Sequence, residues 1–516
     1  MNLVAPADLM FLLLENSHSP MHVAGLSIYT PPENASQTFV ADLVTRWKTY
    51  RKARPPFNRR PALHMGLWFW EEDPQFDLDC HIQHLALPKP GRMSDLCDMV
   101  ARLHGNLLDR HRPLWEACII EGLPGGRFAC YVKIHHALVD GITGSRMMAQ
   151  NLSSSPDEQK APIWAYQFPQ PPQPHEDHSE QLHTRLASEI GAALSTGKEV
   201  IPGILSGVWD ILRPAPAGTG EVLPLQAPAT PLNVAISNLR SFAAQPFSLQ
   251  RLKKLGHAAG ATVNDIALAM CAGALRKYLL SQHKLPKRSL TAMVPVSLHA
   301  EDAHGGNQIG LLLASLATNI ANPRKRLETI VKSTQAAKQH LQTMSRLEKW
   351  AYIVPMVALA APLMVTGDAR RHPLFNVIIS NVPGPTATLY LDGARLDEVY
   401  PVSIPADYLG LNITITGYGD TLGFGYIACR RVMPALQHLL DYTDESLIEL
   451  EHVLLDKLVR PARPVRAAKP AAERNITSRV TPGKTKPRKP AKEIASPINS
   501  QAEQAQKKMA PRRSPK

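Results

Sequence analysis

One stretch restricts the fold of this chain more than any other: a strand that ends in two adjacent histidines. Residues 128–134 are rich in β-branched and aromatic side chains, and the glycine pair at 125–126 marks a turn before them. The strand runs directly into the sequence HHALVDG at 135–141. Side chains of neighbouring strand residues point to opposite faces. His135 and His136 therefore cannot both face one cleft, and we expect one ring at a reaction site and the other in the supporting structure.

The residue types in HHALVDG suit proton transfer. A neutral imidazole is the side chain best matched to accepting a proton near pH 7. Asp140 follows His136 by four residues, and we expect it to orient the turn through an ion pair, with Arg276 as one candidate partner. Gly141 permits a tight bend or the close approach of a ligand. A pair of histidines alone is usually a surface or core feature, but HHxxxDG at a strand end is far more specific.

Length and cysteine usage bound the class of protein. A chain of 516 residues with 44% hydrophobic residues is long enough for two domains plus extensions. The six cysteines are scattered without CxxC or metal-ligand spacing, which predicts reduced, structural cysteines in a cytoplasmic protein. The amino terminus lacks a basic segment and Asp8 interrupts its apolar run, so we expect no signal peptide.

The positive charge is concentrated in the last 56 residues. Residues 461–516 contain 15 Lys and Arg against 3 Asp and Glu, a net charge of +12, whereas residues 1–460 carry +1. This segment has too few apolar residues to fold and is predicted to be a disordered basic tail. Two interpretations remain open: it binds anionic lipid or nucleic acid, or it only keeps the protein soluble.

Alternating helical and strand patterns predict a mixed α/β fold. The predicted organisation is an N-terminal domain at 1–160, a proline-rich crossover with helices at 161–230, a C-terminal domain at 231–460 and the tail. Residues 350–366 are uncharged but contain Pro355 and Pro362, which favours a helix that lines an apolar tunnel or rests on a bilayer over one that spans it. Residues 201–212 predict a buried apolar helix. The other predicted elements include a helix at 7–15 capped by Asp8, a helix at 41–52, a strand at 76–82, a helix at 94–108 capped by Ser94, capped helices from 248 and 262, and a helix pair at 434–458.

Several short motifs together resemble the bacterial wax ester synthase/acyl-CoA:diacylglycerol acyltransferase family, within the HHxxxDG superfamily of CoA-dependent acyltransferases. They lie in order along residues 1–460 and the tail lies outside the resemblance. The motifs are PMH at 20–22, PLW at 113–115, HHALVDG at 135–141, TVND at 262–265, GALR at 273–276, GNQIG at 306–310 and SNVPGP at 380–385.

The resemblance implies two chloramphenicol-acetyltransferase-like domains with a tunnel between them. It also implies an O-acyltransferase that moves a fatty acyl group from acyl-CoA to diacylglycerol or a long-chain alcohol. In that family His136 would be the base and His135 its structural neighbour, while Gly141 would leave room near the thioester. Asn264 and Asp265 would bind substrate from the second domain. No metal and no cofactor is implied, because acyl-CoA is a substrate.

Alternatives remain open at this point. The Asn264–Asp265 pair is equally well explained as a helix N-cap, and PLW and SNVPGP as simple packing and chain reversal. The acceptor could instead be an amine or a peptidyl group, or the protein could bind lipid or nucleic acid without turnover. Because waxes and triacylglycerols are insoluble in water, we expect a cytoplasmic protein associated peripherally with the membrane or with lipid inclusions.

Overall fold

The computed structural model describes residues 1–139, 141–168, 220, 222–297, 309–343 and 366–459. The chain divides into two compact units, Met1–Arg460 and Pro461–Lys516, and all described residues belong to the first. Several predictions therefore lie outside the described residues. They concern Asp140, the proline-rich stretch, the apolar helix at 201–212, all but the last residue of 350–366, and the tail.

The first part of the chain alternates strands and helices up to the histidine motif. In chain order its elements are β1 (Asn2–Leu3), α1 (Pro6–Leu14), β2 (His22–Thr30), α2 (Phe39–Trp47), β3 (Arg59–His64), β4 (Leu67–Glu72), β5 (Ile82–Ala86), α3 (Met93–His104), β6 (Trp115–Glu121), β7 (Phe128–His135) and α4 (Gly141–Asn151).

The second part repeats this mixture. In chain order its elements are β8 (Arg240–Ser248), α5 (Leu249–Ala259), α6 (Val263–Ser281), β9 (Thr291–Ser297), β10 (Ile309–Ser315), α7 (Pro323–Thr343), β11 (Val377–Val382), β12 (Tyr390–Leu391), β13 (Ala394–Val402), β14 (Leu411–Tyr418), β15 (Thr421–Cys429) and α8 (His438–Val459).

Two six-stranded mixed sheets form the framework. The first has the strand order β12-β13-β2-β7-β6-β5, and the second has the order β10-β9-β11-β14-β15-β8. The motif strand β7 lies inside the first sheet, antiparallel to both β2 and β6. All eight of its residues are buried, as expected for a strand covered on both faces. A smaller sheet, β1-β4-β3, is separate from these two. The predicted mixed α/β class is confirmed.

The second sheet is covered by helices whose sequences begin and end with clear signals. Ser248 caps α5, its side chain accepting the Arg251 N–H, and Gly260 ends that helix in the left-handed conformation at φ 63°. Thr262 then caps α6. Thirteen of the 19 residues of α6 are buried, because the helix is apolar on every side and lies between its neighbours α5, α7 and α8.

Strand β13 comes from the second part of the chain but completes the first sheet. It pairs antiparallel with β2 and also lies against β14 and β15 of the second sheet. Two glycines of β15 make this close approach possible. A Cβ at Gly423 or Gly425 would collide with the carbonyl oxygen of Val399 or Pro401 on β13. The two sheets therefore share one core, in which Tyr400 is buried with residues of β8 and α3.

Some predicted helix starts are wrong because a neighbouring residue provides a better cap. Helix α1 begins at Pro6 with Ala5 as its N-cap, and Asp8 lies within its first turn. Proline fits this position because its missing N–H would be unsatisfied there anyway. Helix α3 is preceded by Arg92, not Ser94, because the Asp95 carboxylate accepts the Arg92 N–H at 2.9 Å.

Other predicted elements differ in type or length. The predicted strand at 76–82 contains a 3-10 turn, Leu78–Cys80, before β5 begins. The Asp77 side chain accepts the Asp79 N–H at 3.1 Å, and such local hydrogen bonds compete with strand pairing. Helix α2 ends at Trp47, before the predicted residue 52. The predicted helix pair near the end is a single helix, α8.

Helix length and composition were also compared with the requirements for a membrane span. Among the described residues, no single helix is both long and apolar enough to cross a bilayer, although α5 and α6, bent by 100° at their junction, meet the criterion as a pair.

The glycine contact between β13 and β15 leads to a stability prediction. Gly425→Ala should lower the free energy of unfolding by about 3 kcal/mol, because the new methyl group meets the Pro401 carbonyl and strands must shift. Gly417→Ala is the matched control, since a Cβ there makes only ordinary contacts at 3.7 Å. Urea denaturation of both variants is the measurement. Equal stabilities would contradict the close approach.

Candidate active site

His135 ends β7 inside the protein, and its ring is held from both sides. The residue is fully buried, pairs with His22 of β2, and donates its backbone N–H to the Leu114 carbonyl at 3.0 Å. The Ala137 N–H donates to His135 Nδ1 at 3.1 Å, so Nδ1 is the unprotonated nitrogen. The neutral ring then carries its proton on Nε2, which faces Glu15 Oε1 at 3.4 Å.

Glu15, directly after α1, is the carboxylate behind His135, and the sequence analysis did not single it out. Its side chain is 3% exposed. Arg110 donates to Glu15 Oε2 from Nε at 3.1 Å and from Nη2 at 2.9 Å, and the Met21 N–H donates to Oε1 at 3.1 Å. Burial raises the pKa of Glu15, but His135, the Met21 amide and Arg110 together outweigh burial and hold that pKa below its usual value. Glu15 is therefore an ionised carboxylate near neutral pH.

His136 lies in different surroundings from His135. It is half-buried, and its backbone N–H donates to the Met21 carbonyl at 2.9 Å. Its ring stacks on Phe11 of α1, with ring centroids 4.0 Å apart and planes inclined by 17°. Phe11 packs against a small apolar cluster that also includes Trp68 and Leu138. His136 is thus the histidine of the pair that is partly exposed and beside an apolar wall.

A layer of buried polar groups supports this strand end from below. His22 Nε2 donates to the His104 carbonyl at 2.8 Å. The His104 ring lies between the Tyr131 hydroxyl, 2.8 Å from Nδ1, and the Ser403 carbonyl, 2.9 Å from Nε2. Burial lowers the pKa of His104 to about 3 and lowers that of His22 well below its usual value. Both rings are therefore neutral, in line with the structural role expected for His22.

Lys133 is the charged member of this layer. Its side chain is fully buried, which is rare for lysine unless the charge is paired. Nζ lies 2.9 Å from Glu116 and donates to the carbonyls of Leu103 and Asn106 at 3.2 Å each. Because these carbonyls end helix α3, the lysine also complements the negative end of that helix. Lys133 therefore ties α3 to the middle of the motif strand.

The other residues of the motif are described in part. Gly141 begins α4, and a Cβ built on it would meet no atom within 4 Å. That open space is compatible with the predicted close approach of a ligand, which stays a prediction. Asp140 lies outside the described residues, so its ion pair is also still a prediction. The candidate partner Arg276 donates to the Thr318 carbonyl at 2.6 Å.

Asn264 and Asp265 lie in the first turn of α6. Asp265 is 3% exposed and forms a capping box with Thr262, accepting the Thr262 N–H at 3.0 Å. Its other oxygen accepts the Thr334 hydroxyl at 2.7 Å, so both carboxylate oxygens have protein partners. Asn264 is half-buried. The helix-cap explanation thus holds for Asp265, and substrate binding by the pair stays a prediction.

Two motifs of the family resemblance have clear packing roles. In PLW, Trp115 is fully buried and donates from Nε1 to the Phe57 carbonyl at 2.8 Å, while Leu114 provides the carbonyl that anchors His135. In SNVPGP, a Cβ at Gly384 would collide with the carbonyl oxygen of Gly417 at the end of β14. These short motifs therefore hold the strand ends of the two sheets in place.

The cysteines do not provide a nucleophile near the histidines. All six are free thiols, and five are buried. Burial raises the pKa of Cys130, on the motif strand, to about 12, so this thiol stays protonated at neutral pH. Among the residues that the structure describes, no group of three or more His, Cys, Asp or Glu side chains could hold a metal ion.

Comparison with known families was made on the same chain. Residues 4–267 match the wax ester synthase/diacylglycerol acyltransferase catalytic domain, and residues 305–451 match the WS/DGAT C-terminal domain. The chain belongs to the wax ester synthase/diacylglycerol acyltransferase family. The resemblance inferred from the short motifs is confirmed.

Individual relatives cover almost the whole unit Met1–Arg460. The O-acyltransferase WSD of Acinetobacter baylyi is 40% identical over 451 residues, which are 87% of this chain and 97% of that protein. A Mycobacterium tuberculosis protein named as a probable diacylglycerol O-acyltransferase, tgs2, is 41% identical over 470 residues, covering 88% of this chain and all of the relative.

Solved structures agree with this membership. The wax ester synthase/diacylglycerol acyltransferase from Marinobacter aquaeolei VT8 has a TM-score of 0.72 and 38% identity, covering 88% of this chain and all of that one. The first condensation domain of the calcium-dependent antibiotic synthetase has a TM-score of 0.53 at 13% identity, covering 88% and 97%. The second likeness shows the fold alone, and it confirms the two-domain acyltransferase architecture expected from the sequence.

The contact between Glu15 and His135 leads to a prediction about rate and stability. Glu15→Gln should lower kcat about 10- to 100-fold, because a loosened His135 misplaces the neighbouring His136, and should cost about 2 kcal/mol of stability. Glu451→Gln is the matched control, since Glu451 also accepts two hydrogen bonds from one arginine, Arg251. Steady-state kinetics and thermal melts of both variants are the measurements.

The pH dependence of the same pair provides an independent check. The pKa of folded Glu15 lies below the ordinary value of 4.5, so its stabilising effect is complete above pH 4.5 and is lost as pH falls through the folded-state pKa. The difference in melting temperature between wild type and Glu15→Gln should therefore shrink on acidification below pH 4.5. A difference that stays constant would contradict the ionised carboxylate.

Proposed function

We propose that this protein transfers a fatty acyl group from acyl-CoA to the hydroxyl group of a diacylglycerol or a long-chain alcohol. The products are a triacylglycerol or a wax ester, and CoA. The observation that carries this proposal is the different placement of the two histidines in a chain of this family. His135 is buried against Glu15, whereas His136 is half-buried beside an apolar wall.

His136 is proposed as the general base. Its neutral imidazole removes the hydroxyl proton of the acceptor while the acceptor oxygen attacks the thioester carbonyl of acyl-CoA. The resulting tetrahedral oxyanion needs hydrogen-bond donors, for which backbone N–H groups and Asn264 are candidates. When the carbon–sulfur bond breaks, the CoA thiolate takes the proton back from the imidazolium. No covalent enzyme intermediate and no cofactor takes part in the proposed reaction.

His135 is proposed as a positioning residue rather than a second base. Its Nδ1 already accepts the Ala137 N–H, and its Nε2 faces an ionised carboxylate. Neither nitrogen of this fully buried ring is placed to take a proton from a substrate. The ring instead fixes the backbone from which His136 projects. Asp140 is proposed to hold the following turn, and Gly141 to leave space beside the thioester.

A lipid alcohol is favoured over an amine or peptidyl acceptor. Phe11, Trp68 and Leu138 form an apolar wall beside His136, which suits an alkyl chain. The relatives at 40% and 41% identity are named as O-acyltransferases, which supports an oxygen nucleophile.

The role of His136 is tested by comparing its removal with that of other histidines. His136→Ala should reduce CoA release from palmitoyl-CoA with hexadecanol or diacylglycerol by about 10²- to 10⁴-fold, because the base is lost. His111→Ala is the control, since that ring is 92% exposed. Chromatography of released CoA is the measurement. A folded His136→Ala protein that keeps wild-type turnover would reject the mechanism, and an inactive, well-folded His135→Ala protein beside it would reverse the two roles.

We also propose that the protein works at the cytoplasmic face of the membrane or on lipid inclusions, with the basic tail attracting anionic headgroups. The net charge of +12 in residues 461–516 supports this, since each basic residue near an anionic bilayer contributes about 1 kcal/mol. Truncation after residue 460 should weaken sedimentation with anionic vesicles and flatten its salt dependence. Acyl transfer between soluble substrates should not change. If the truncated protein sediments like the full chain, the tail serves solubility alone.

A further inference from the structure

The small sheet β1-β4-β3 exposes more apolar surface than its size explains. Five large hydrophobic side chains on or beside it are at least 57% exposed. We call these residues the hairpin patch: Met1 (70%), Leu3 (60%), Leu63 (57%), Met65 (103%) and Leu67 (57%). Single exposed apolar residues are ordinary, but a contiguous group marks a surface that meets a partner.

The turn of this hairpin carries a side chain that its geometry disfavours. Met65 and Gly66 join β3 to β4 with positive φ angles of 48° and 81°. A two-residue turn of this kind favours asparagine, aspartate or glycine at both positions. A methionine there is strained by its Cβ and gains no packing, since Met65 is fully exposed. Neither turn chemistry nor the folded core accounts for the residue, so the explanation lies outside the chain.

The charge pattern indicates what kind of partner this is. Residues 61–70, PALHMGLWFW, contain no Asp, Glu, Lys or Arg. The nearest charges on these strands are already paired, because Arg60 lies 2.8 Å from Glu71, which also contacts His64 at 3.1 Å. A protein surface that recognised this patch by charge would find little to pair with. An apolar tip followed by Trp68 and Trp70 instead suits the boundary between acyl chains and headgroups, where tryptophan is enriched.

The inner face of the same hairpin reaches the candidate active site. Trp70 is buried with Leu12, Leu114 and Ala137, and Trp68 packs against this cluster. Ala137 is the residue directly after His136. The hairpin patch and the histidine motif are therefore two sides of one small apolar unit. A lipid surface in contact with the patch would lie on the side from which a lipid acceptor could approach His136.

We propose that the hairpin patch inserts into the interfacial region of an uncharged phospholipid bilayer and so brings the active site to its lipid substrates. The inference rests on the proposed function, because the substrates are what gives this orientation its purpose. It differs from the tail in its physical basis. Insertion of apolar side chains is driven by the hydrophobic effect and is insensitive to salt, whereas binding of the tail depends on counterion release.

The test removes the apolar tip without removing the hairpin. The full-length double variant Met65→Asn with Leu67→Thr is suitable, because asparagine tolerates the left-handed conformation and threonine favours strands. Leu280→Gln with Ile448→Gln is the matched control. These two side chains are 46% and 40% exposed on α6 and α8, and glutamine is a good helix former. Thermal melts of both variants check the fold, and the tip variant should melt at or above the wild-type temperature.

Sedimentation with phosphatidylcholine vesicles, at low and at high salt, measures the proposed contact. The tip variant should partition about ten- to a hundredfold less than wild type at both salt concentrations, since two partly inserted side chains are lost. The control variant should partition like wild type. Wild-type protein that does not partition, a tip variant that partitions normally, or a control that loses as much would each overturn the proposal.

Two further readouts separate the alternatives. Acyl transfer from palmitoyl-CoA to a short, water-soluble alcohol should be equal in wild type and tip variant. If wild type itself shows no such transfer, the proposed function fails, whatever the vesicles show. Light scattering reports on a second copy as the occupant. A wild-type dimer that the tip variant abolishes, together with unchanged vesicle binding, would make the patch a self-association surface and reject the lipid contact.

Discussion

The structure around the candidate active site depends on one buried contact, that of the His135 ring with the Glu15 carboxylate. An imidazole and a carboxylate that are 0% and 3% exposed are costly to bury unless each has its partners. Satisfying them recruits the end of α1, the strand β2 through Met21, the residue before β6 through Leu114, and Arg110 from the loop before it. The backbone from which His136 projects is consequently held by four separate segments of chain.

The surrounding polar layer extends this rigidity without adding reactivity. His22 and His104 are buried as neutral rings, and Lys133 is neutralised by Glu116 and by helix-end carbonyls. Such groups stabilise one arrangement only when all of them are satisfied. The strand end can therefore carry several histidines while one, His136, stands partly exposed beside an apolar wall. The chemistry is assigned by burial and partners rather than by residue type.

The two halves of the chain are joined by β13 rather than by simple contact of two finished domains. A strand from the second half completes the first sheet, and glycines on β15 let it lie against the second sheet. Because the same strand borders both sheets, motion between them at this point would break strand pairing. The His104–Ser403 hydrogen bond reinforces the connection immediately after β13. The site on β7 is thus tied to the second half through β2 and β13.

The sequence by itself determined the elements whose signals are local. The strand before HHALVDG, the caps at Ser248 and Thr262, the mixed α/β class and the charge of the tail all depend on residues a few positions apart. The family followed from several short motifs in a consistent order. Local hydrogen bonding also explains the errors, since Asp77 and Asp95 redirect the backbone over two or three residues.

Only the tertiary structure decided which groups meet. Glu15 and Arg110 are 95 positions apart, and His104 and Ser403 are 299 apart, so no periodicity or spacing could indicate these pairs. The same holds for β13, whose place in the first sheet depends on a strand near the other end of the chain. Exposure is also a tertiary property: Leu67 and Trp70 look alike in sequence, yet one is 57% and the other 9% exposed. Local sequence sets the conformation of a segment, whereas burial and partnership are set by whatever the completed fold brings against it.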